Sequence, residues 1–219
     1  MEPFRKHTGR MAVIDWTDVN TDLIIPARYL KRIERVGYGP LLFADKRYVP
    51  GGAPLPDEPE SHGDYEPDFP INRPEYVGAT ILVVGPNFGC GSSREHAVWA
   101  VQQAGYKAVI APSPDEGFAD IFEGNALNNG LLVVEIAESH WKKLVELGKN
   151  APQTSITVDL EKQVVLYPAG SGEAEAGFNI PESARHRILN GLDTIGITIA
   201  ENGPAIDIYE PGRAAWAVL

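Results

Sequence analysis

The sequence predicts one α/β domain over residues 1–219, a sheet with parallel neighbours and helices on its faces. Three observations predict it. Short apolar runs rich in β-branched residues recur at 79–84, 107–111 and 131–134, and each reads as a buried strand. Stretches with helical spacing separate them and stop at glycines: Ala97, Val98, Val101 and Ala104 before Gly105, then residues 118–129 before Gly130. Alternation of strand and helix is the pattern of a parallel sheet.

The first strand is read at Met11-Ala-Val-Ile14. It runs into Thr17-Asp-Val-Asn-Thr-Asp22, dense in residues whose side chains make turns. Arg28-Tyr-Leu-Lys-Arg32 follows, a close group of cations of the kind that usually decorates a solvated face. Between about 48 and 75 the chain changes character, with seven prolines, and six acids between Asp57 and Asp68, interrupting any periodicity. Such a stretch buries too little apolar surface to fold alone. It reads equally as a solvated excursion and as a lid or docking arm that a partner orders. Beyond the parallel strands, 140–149 is an amphipathic helix. Residues 156–158 and 163–167 form a hairpin around Glu161-Lys162, 168–177 is a loop, and 182–190 is a short helix closed by Gly191.

The stretch that carries chemistry is Gly85-Pro-Asn-Phe-Gly-Cys-Gly-Ser-Ser-Arg-Glu-His-Ala97, a glycine-rich turn between a strand and a helix. Gly85, Gly89 and Gly91 permit positive φ and close approach of backbone to a ligand. Ser92 and Glu95 stand at capping-box spacing, which starts the helix at or beside Ser92. The first turn of a helix offers unpaired N–H groups and partial positive charge to an anion. Arg94 adds a planar fork suited to a carboxylate or phosphate, and Ser92 and Ser93 add hydroxyls. A phosphate-binding loop of the Walker type needs a lysine that is absent, and a dinucleotide fingerprint needs glycine where Arg94 stands. The plain alternative is that one serine caps the helix while Arg94 pairs with Glu95 or Asp22. Capping is worth ~1 kcal/mol and leaves two serines beside an arginine unexplained. Cys90 and His96 raise a thiol-nucleophile reading, but a lone Cys–His pair in one sequence is more often incidental.

Composition excludes several classes. Cys90 is the sequence's only cysteine, which rules out an internal disulfide framework and a conventional iron–sulfur site within the chain. The net charge of −11 opposes nucleic acid and anionic membranes as partners. No run has the length of a membrane-spanning helix and residues 1–7 lack an apolar signal core, so the cytoplasm is the expected location.

The full string from Gly85 to Ala97 resembles the signature G-x-N-x-G-x-G-S-S-R-E-H-A of the aconitase superfamily's swivel domain, and every specified position matches. Asp18, Asn20, Thr21, Asp22, Ile24, Ile25 and Pro26 match a second pattern, D-x-N-T-D-x-I-I-P, of the small subunits of 3-isopropylmalate dehydratase. Residues 118–132 and the segments Leu189–Asp193 and Tyr209–Arg213 are similar to the same family.

This resemblance implies a swivelling β/β/α domain, a mixed sheet with flanking helices. It implies a hydro-lyase of leucine biosynthesis that interconverts 2-isopropylmalate and 3-isopropylmalate by dehydration and rehydration. Ser92 would be the general base, Ser93 and Arg94 would bind the neighbouring carboxylate, and Asp22 would orient the site. Lys31 and Arg32 would be candidates for a further carboxylate contact. Cofactor and partner follow in the same way: no cofactor in this chain, a [4Fe–4S] cluster on a separate large subunit, and a small dicarboxylate substrate. A sister hydro-lyase subunit acting on homoaconitate or a methylated malate, and a non-catalytic anion-binding domain, are the alternatives.

Overall fold

The first strand, β1 (Lys6–Ile14), changes character half-way, and the sheet is organised around that change. Its first half, Lys6-His-Thr-Gly-Arg10, is partly solvated, whereas Met11-Ala-Val-Ile14 is buried throughout. Strands buried on both faces suit a parallel sheet covered by helices, and half-solvated ones suit antiparallel pairing. Accordingly Met11–Ile14 pairs parallel with β2 (Ile81–Val84), in the register Met11 to Ile81 and Ile14 to Val84. Lys6–Arg10 pairs antiparallel with β5 (Ser155–Asp159).

In this computed structural model, which describes residues 1–92, 94–113 and 117–212, β3 (Ala108–Ser113) and β4 (Leu132–Ala137) continue the parallel half. The strands β6 (Val164–Ala169) and β7 (Gly172–Gly177) continue the antiparallel half. One mixed sheet results, in the order β4-β3-β2-β1-β5-β6-β7. Two short helices, α1 (Thr21–Ile24) and α2 (Ala44–Arg47), lie between β1 and β2. The crossover helices are α3 (Glu95–Gln103), between β2 and β3, and α4 (Asp120–Asn129), between β3 and β4. They pack on one another. After β4, α5 (Glu138–Asn150) packs against β1, β3 and β4, with Gly148 seated over Val13. Chain order closes with α6 (Glu182–Asn190), which ends at Gly191 in the left-handed region, and α7 (Thr194–Tyr209). Among the described residues, no helix is long and apolar enough to cross a membrane.

Two elements depart from the sequence reading. Residues 168–177, read as loop, contain β7. The run Gly-Glu-Ala-Glu-Ala-Gly has no β-branched residue, but its Glu/Ala alternation is the period of a strand and Ala176 points inward. The tail, read only for its family likeness, is the 16-residue helix α7. Arg213, the last residue of the matched tail, lies outside the described residues, as does Ser93.

The proline-rich stretch is tied to its own chain. Residues 47–52 fold against 63–66 through Val49 N–H to the Asp64 carbonyl (3.1 Å), Gly63 N–H to Gly52 (2.8 Å) and Glu66 N–H to Arg47 (2.9 Å). Asn72 donates to the carbonyls of Arg47 and Glu66, and the rings of Tyr48, His62 and Tyr65 group together. Phe69 is buried against Phe43 and meets Trp16 edge-on. An excursion organised only by a partner is therefore not what the structure contains.

Candidate active site

The loops after β1 and β2 leave the carboxyl ends of two adjacent parallel strands and run side by side. Gly85 N–H donates to the Ile14 carbonyl (3.1 Å), Asp18 N–H to Pro86 (3.0 Å), Gly89 N–H to Val19 (2.7 Å) and Thr21 N–H to Cys90 (2.8 Å). The two sequence patterns are thereby zipped by backbone. Gly85 does not have positive φ, contrary to the sequence reading. It is required because a Cβ there would collide with the Trp16 carbonyl. Gly89 and Gly91 do have positive φ, and a Cβ on Gly89 would strike the Phe122 ring. Asn87 and Asp18 also take left-handed backbone, and Asn87 Nδ2 donates to Asp18 Oδ1 (2.7 Å). That pair was missed from sequence, although Asn and Asp are the residues that best tolerate the conformation. On the other side, Trp141 Nε1 of α5 donates to the carbonyl of Val84, the last residue of β2 (2.7 Å).

The zipper brings α1 to the start of α3. Asn20 caps α1 by accepting from Leu23 N–H (2.8 Å), which sets Asp22 in its first turn. Arg94 stands at the N-cap of α3 with extended backbone, and its side chain is largely buried. Arg94 Nη1 donates to Asp22 Oδ1. Asp22 thus holds one edge of the guanidinium, the pairing that the plain alternative also expected.

Ser92 is exposed and takes no hydrogen-bond partner among the described residues. The capping box expected for it does not form: α3 begins at Glu95 and has no side-chain cap. Glu95 instead accepts from Asn129 Nδ2 of α4 (2.8 Å), and Trp99 Nε1 of α3 donates to Asn129 Oδ1 (3.0 Å). The interhelical tie draws Glu95 away from a capping role. The capping alternative for Ser92 falls with it. Ser93 falls outside the described residues.

The cations after Pro26 behave differently. Lys31 is exposed at the end of the 3-10 turn Ala27–Lys31 and has no ion-pair partner among the described residues. Arg32 is engaged elsewhere: it donates to the carbonyls of Pro56 and Val36 and lies over the Tyr38 ring. Both of its terminal nitrogens are therefore taken by backbone oxygens, while its buried Nε has no hydrogen-bond partner among the described residues. Buried Tyr29 does similar work by donating to the Pro54 carbonyl (2.8 Å), and Arg28 pairs with Asp45 (2.6 Å). The segment 28–38 and the proline-rich stretch therefore hold each other.

Cys90 and His96 gain no support as a nucleophilic pair. Burial, then the Asp18 carboxylate, pushes the Cys90 thiol above its ordinary value, the wrong direction for a thiolate. His96 packs its ring against Tyr38 and Trp99, at centroid distances of 5.6 and 4.8 Å. Burial lowers its pKa, with Arg94 adding to the effect against Glu95. Among the described residues no group of three or more His, Cys, Asp or Glu side chains could hold a metal ion. With one thiol in the sequence, this donor set does not fit an iron–sulfur cluster.

Comparison with known proteins agrees with this geometry. Residues 1–139 match the Aconitase C-terminal domain family. Over 216 residues the chain is 44% identical to the 3-isopropylmalate dehydratase small subunit of Shewanella sp. (strain ANA-3), covering 99% of each chain. The chain belongs to the 3-isopropylmalate dehydratase small-subunit family. Small subunit 1 of Bordetella parapertussis is 45% identical over 215 residues, covering 98% of this chain and 95% of that one. A crystal structure of 3-isopropylmalate dehydratase from Methanocaldococcus jannaschii superposes with a TM-score of 0.58 at 26% identity, covering 93% of this chain and 99% of that one. Membership in the small-subunit family means that a large subunit is the partner, and that the chain is part of a hydro-lyase of leucine biosynthesis.

Proposed function

We propose that the Ser92–Arg94 turn is the proton-transfer half of an active site completed by the large subunit, acting on 2-isopropylmalate and 3-isopropylmalate. Ser92 Oγ takes the proton from the carbon next to a substrate carboxylate. The hydroxyl on the adjacent carbon leaves, giving an alkene and water, and rehydration with the opposite regiochemistry returns the isomer. Arg94 grips that carboxylate with the guanidinium edge that Asp22 leaves open, and Ser93 donates to it. Negative charge that builds on the carboxylate is stabilised by the oriented guanidinium, and the same field favours an ionised Ser92. Lys31, exposed and unpaired among the described residues, is the cation of the following segment left for a second carboxylate.

One observation carries the reading: a freely exposed Ser92, not needed as a cap, next to an Arg94 already oriented by Asp22. Expelling hydroxide calls for a Lewis acid, and among the described residues no group of three or more His, Cys, Asp or Glu side chains could hold one. A [4Fe–4S] cluster on the large subunit is part of the proposal for that reason. So are the absence of nucleic acid and membrane partners and residence in the cytoplasm, for which the net charge of −11 and the single thiol speak. The test is reconstitution with a cluster-bearing large subunit. Ser92→Ala should lower turnover at least ~10²-fold, the loss expected for a general base, while assembly and melting temperature stay put. A variant that turns over like the parent would remove Ser92 from the chemistry.

A further inference from the structure

The helix α7 has no place in the core. None of its described residues is buried, and its close packing is with the 3-10 turn that follows it. Yet it is apolar, with Ile195, Ile199, Ile208 and Tyr209 exposed to 70%, 59%, 81% and 70%. Ile195, Ile199, Ile206 and Tyr209 recur at helical spacing and form one stripe along it.

Such a helix has little reason to persist in water by itself. It contains Gly196, Gly203, Pro204 and five isoleucines, residues of low helix propensity, and Pro204 removes an internal hydrogen bond. At 16 residues it is barely longer than the ~12–15 below which isolated helices are marginal in water even when Ala-rich. Asp193 caps it by accepting from Gly196 N–H (2.6 Å), which fixes its start but covers none of the stripe. Burial against another surface is what would stabilise it.

We propose that α7 docks on the large subunit, in an apolar groove with a basic rim. Charge selects this occupant over a second copy of the chain. Residues 194–212 contain Glu201, Asp207 and Glu210 and no lysine or arginine. Two copies of α7 would set these acids against each other, on chains that each carry a net charge of −11. A partner with cations around its groove meets both the stripe and the acids. The contact is separate from the catalytic one. The end of α6 that leads into α7 lies beside Met1 and Pro3, which precede β1, whereas Ser92 and Arg94 follow the carboxyl end of β2. The proposal rests on the two-subunit reading above.

The test uses the full chain with Ile195→Glu and Ile199→Glu together, both at exposed positions. Affinity for purified large subunit is measured by titration calorimetry, and turnover is recorded as large subunit is raised to saturation. The double variant should bind at least ~30-fold more weakly, the scale of losing interface hot spots. At saturation it should reach the parent's turnover, because the catalytic turn is untouched. Parental affinity in the variant would overturn the proposal. So would a parent chain that sediments as a dimer and a variant that sediments as a monomer, since α7 would then cover a second copy. If the parent neither binds nor gains activity from the large subunit, the two-subunit reading itself fails and takes this proposal with it.

Discussion

Two loop systems flank the site, and they are built by opposite means. Where residues 14–21 meet 85–90, backbone hydrogen bonds backbone, and the glycines leave no room for a Cβ. Where residues 28–40 meet 48–75, long side chains reach backbone carbonyls: Tyr29 to Pro54, Arg32 to Pro56, Tyr48 to Pro40. A backbone zipper fixes position to a fraction of an ångström and tolerates almost no substitution at its close approaches. Side-chain anchors hold a segment while leaving its outward residues free to vary. Ser92 and Arg94, the groups proposed for proton transfer and carboxylate binding, follow the first system, and the segment carrying Lys31 sits on the second. The difference suits a turn that must hold reacting groups still beside a segment that can be retuned.

Breaking the zipper should have the largest effect. Gly89→Ala combines a positive φ with a collision against the Phe122 ring, so about 3 kcal/mol of stability should be lost in thermal or denaturant unfolding. Gly51→Ala, in the proline-rich stretch, also has positive φ but meets open space, and should cost only ~1 kcal/mol. Equal losses would erase the contrast.

Arg94→Lys comes next. It keeps the charge but loses the planar fork, so kcat/KM in the reconstituted enzyme should fall about 10–100-fold, the range for losing a charge-assisted hydrogen bond. Parental kinetics would mean that Arg94 serves only Asp22. On the second system, Tyr29→Phe strands the buried Pro54 carbonyl and should cost ~1 kcal/mol of stability. If the segment reads substrate, KM should rise while kcat holds. A change in kcat alone would assign the segment to the chemistry instead.

The smallest effect concerns His96, which joins the two systems through its contact with Tyr38. Its folded pKa lies below the ordinary 6.5, so the unfolded chain takes up the proton first as pH falls. Its contribution to stability is present above 6.5 and is lost as pH drops through the window between that value and the lowered one. His96→Phe keeps a ring against Tyr38 and Trp99 and should flatten the stability profile in that window. An unchanged slope would place the acid sensitivity elsewhere.

Much of this was legible in the residues. The parallel strands and their helices announced themselves because fully buried strands are continuous apolar runs and their helices stop at glycines. The turn at 85–94 stood out as a candidate anion site because glycine, serine and arginine beside a helix start leave few other uses. By itself the sequence determined the parallel strands, their helices and the 156–167 hairpin, and the two loops that meet beside Arg94. Only the tertiary structure decided which partners the polar groups take. Glu95 spacing suited a cap for Ser92, yet Asn129, thirty-four residues on, claims it. Arg32 looked free among neighbouring cations, yet the Pro56 carbonyl of the proline-rich stretch and the Val36 carbonyl take its two terminal nitrogens. Both outcomes rest on contacts between segments distant in sequence, where local spacing carries no information. The helix α7 shows the same limit from the other side: its helix-poor composition hid it, and its stripe has meaning only against a surface that the described residues do not provide.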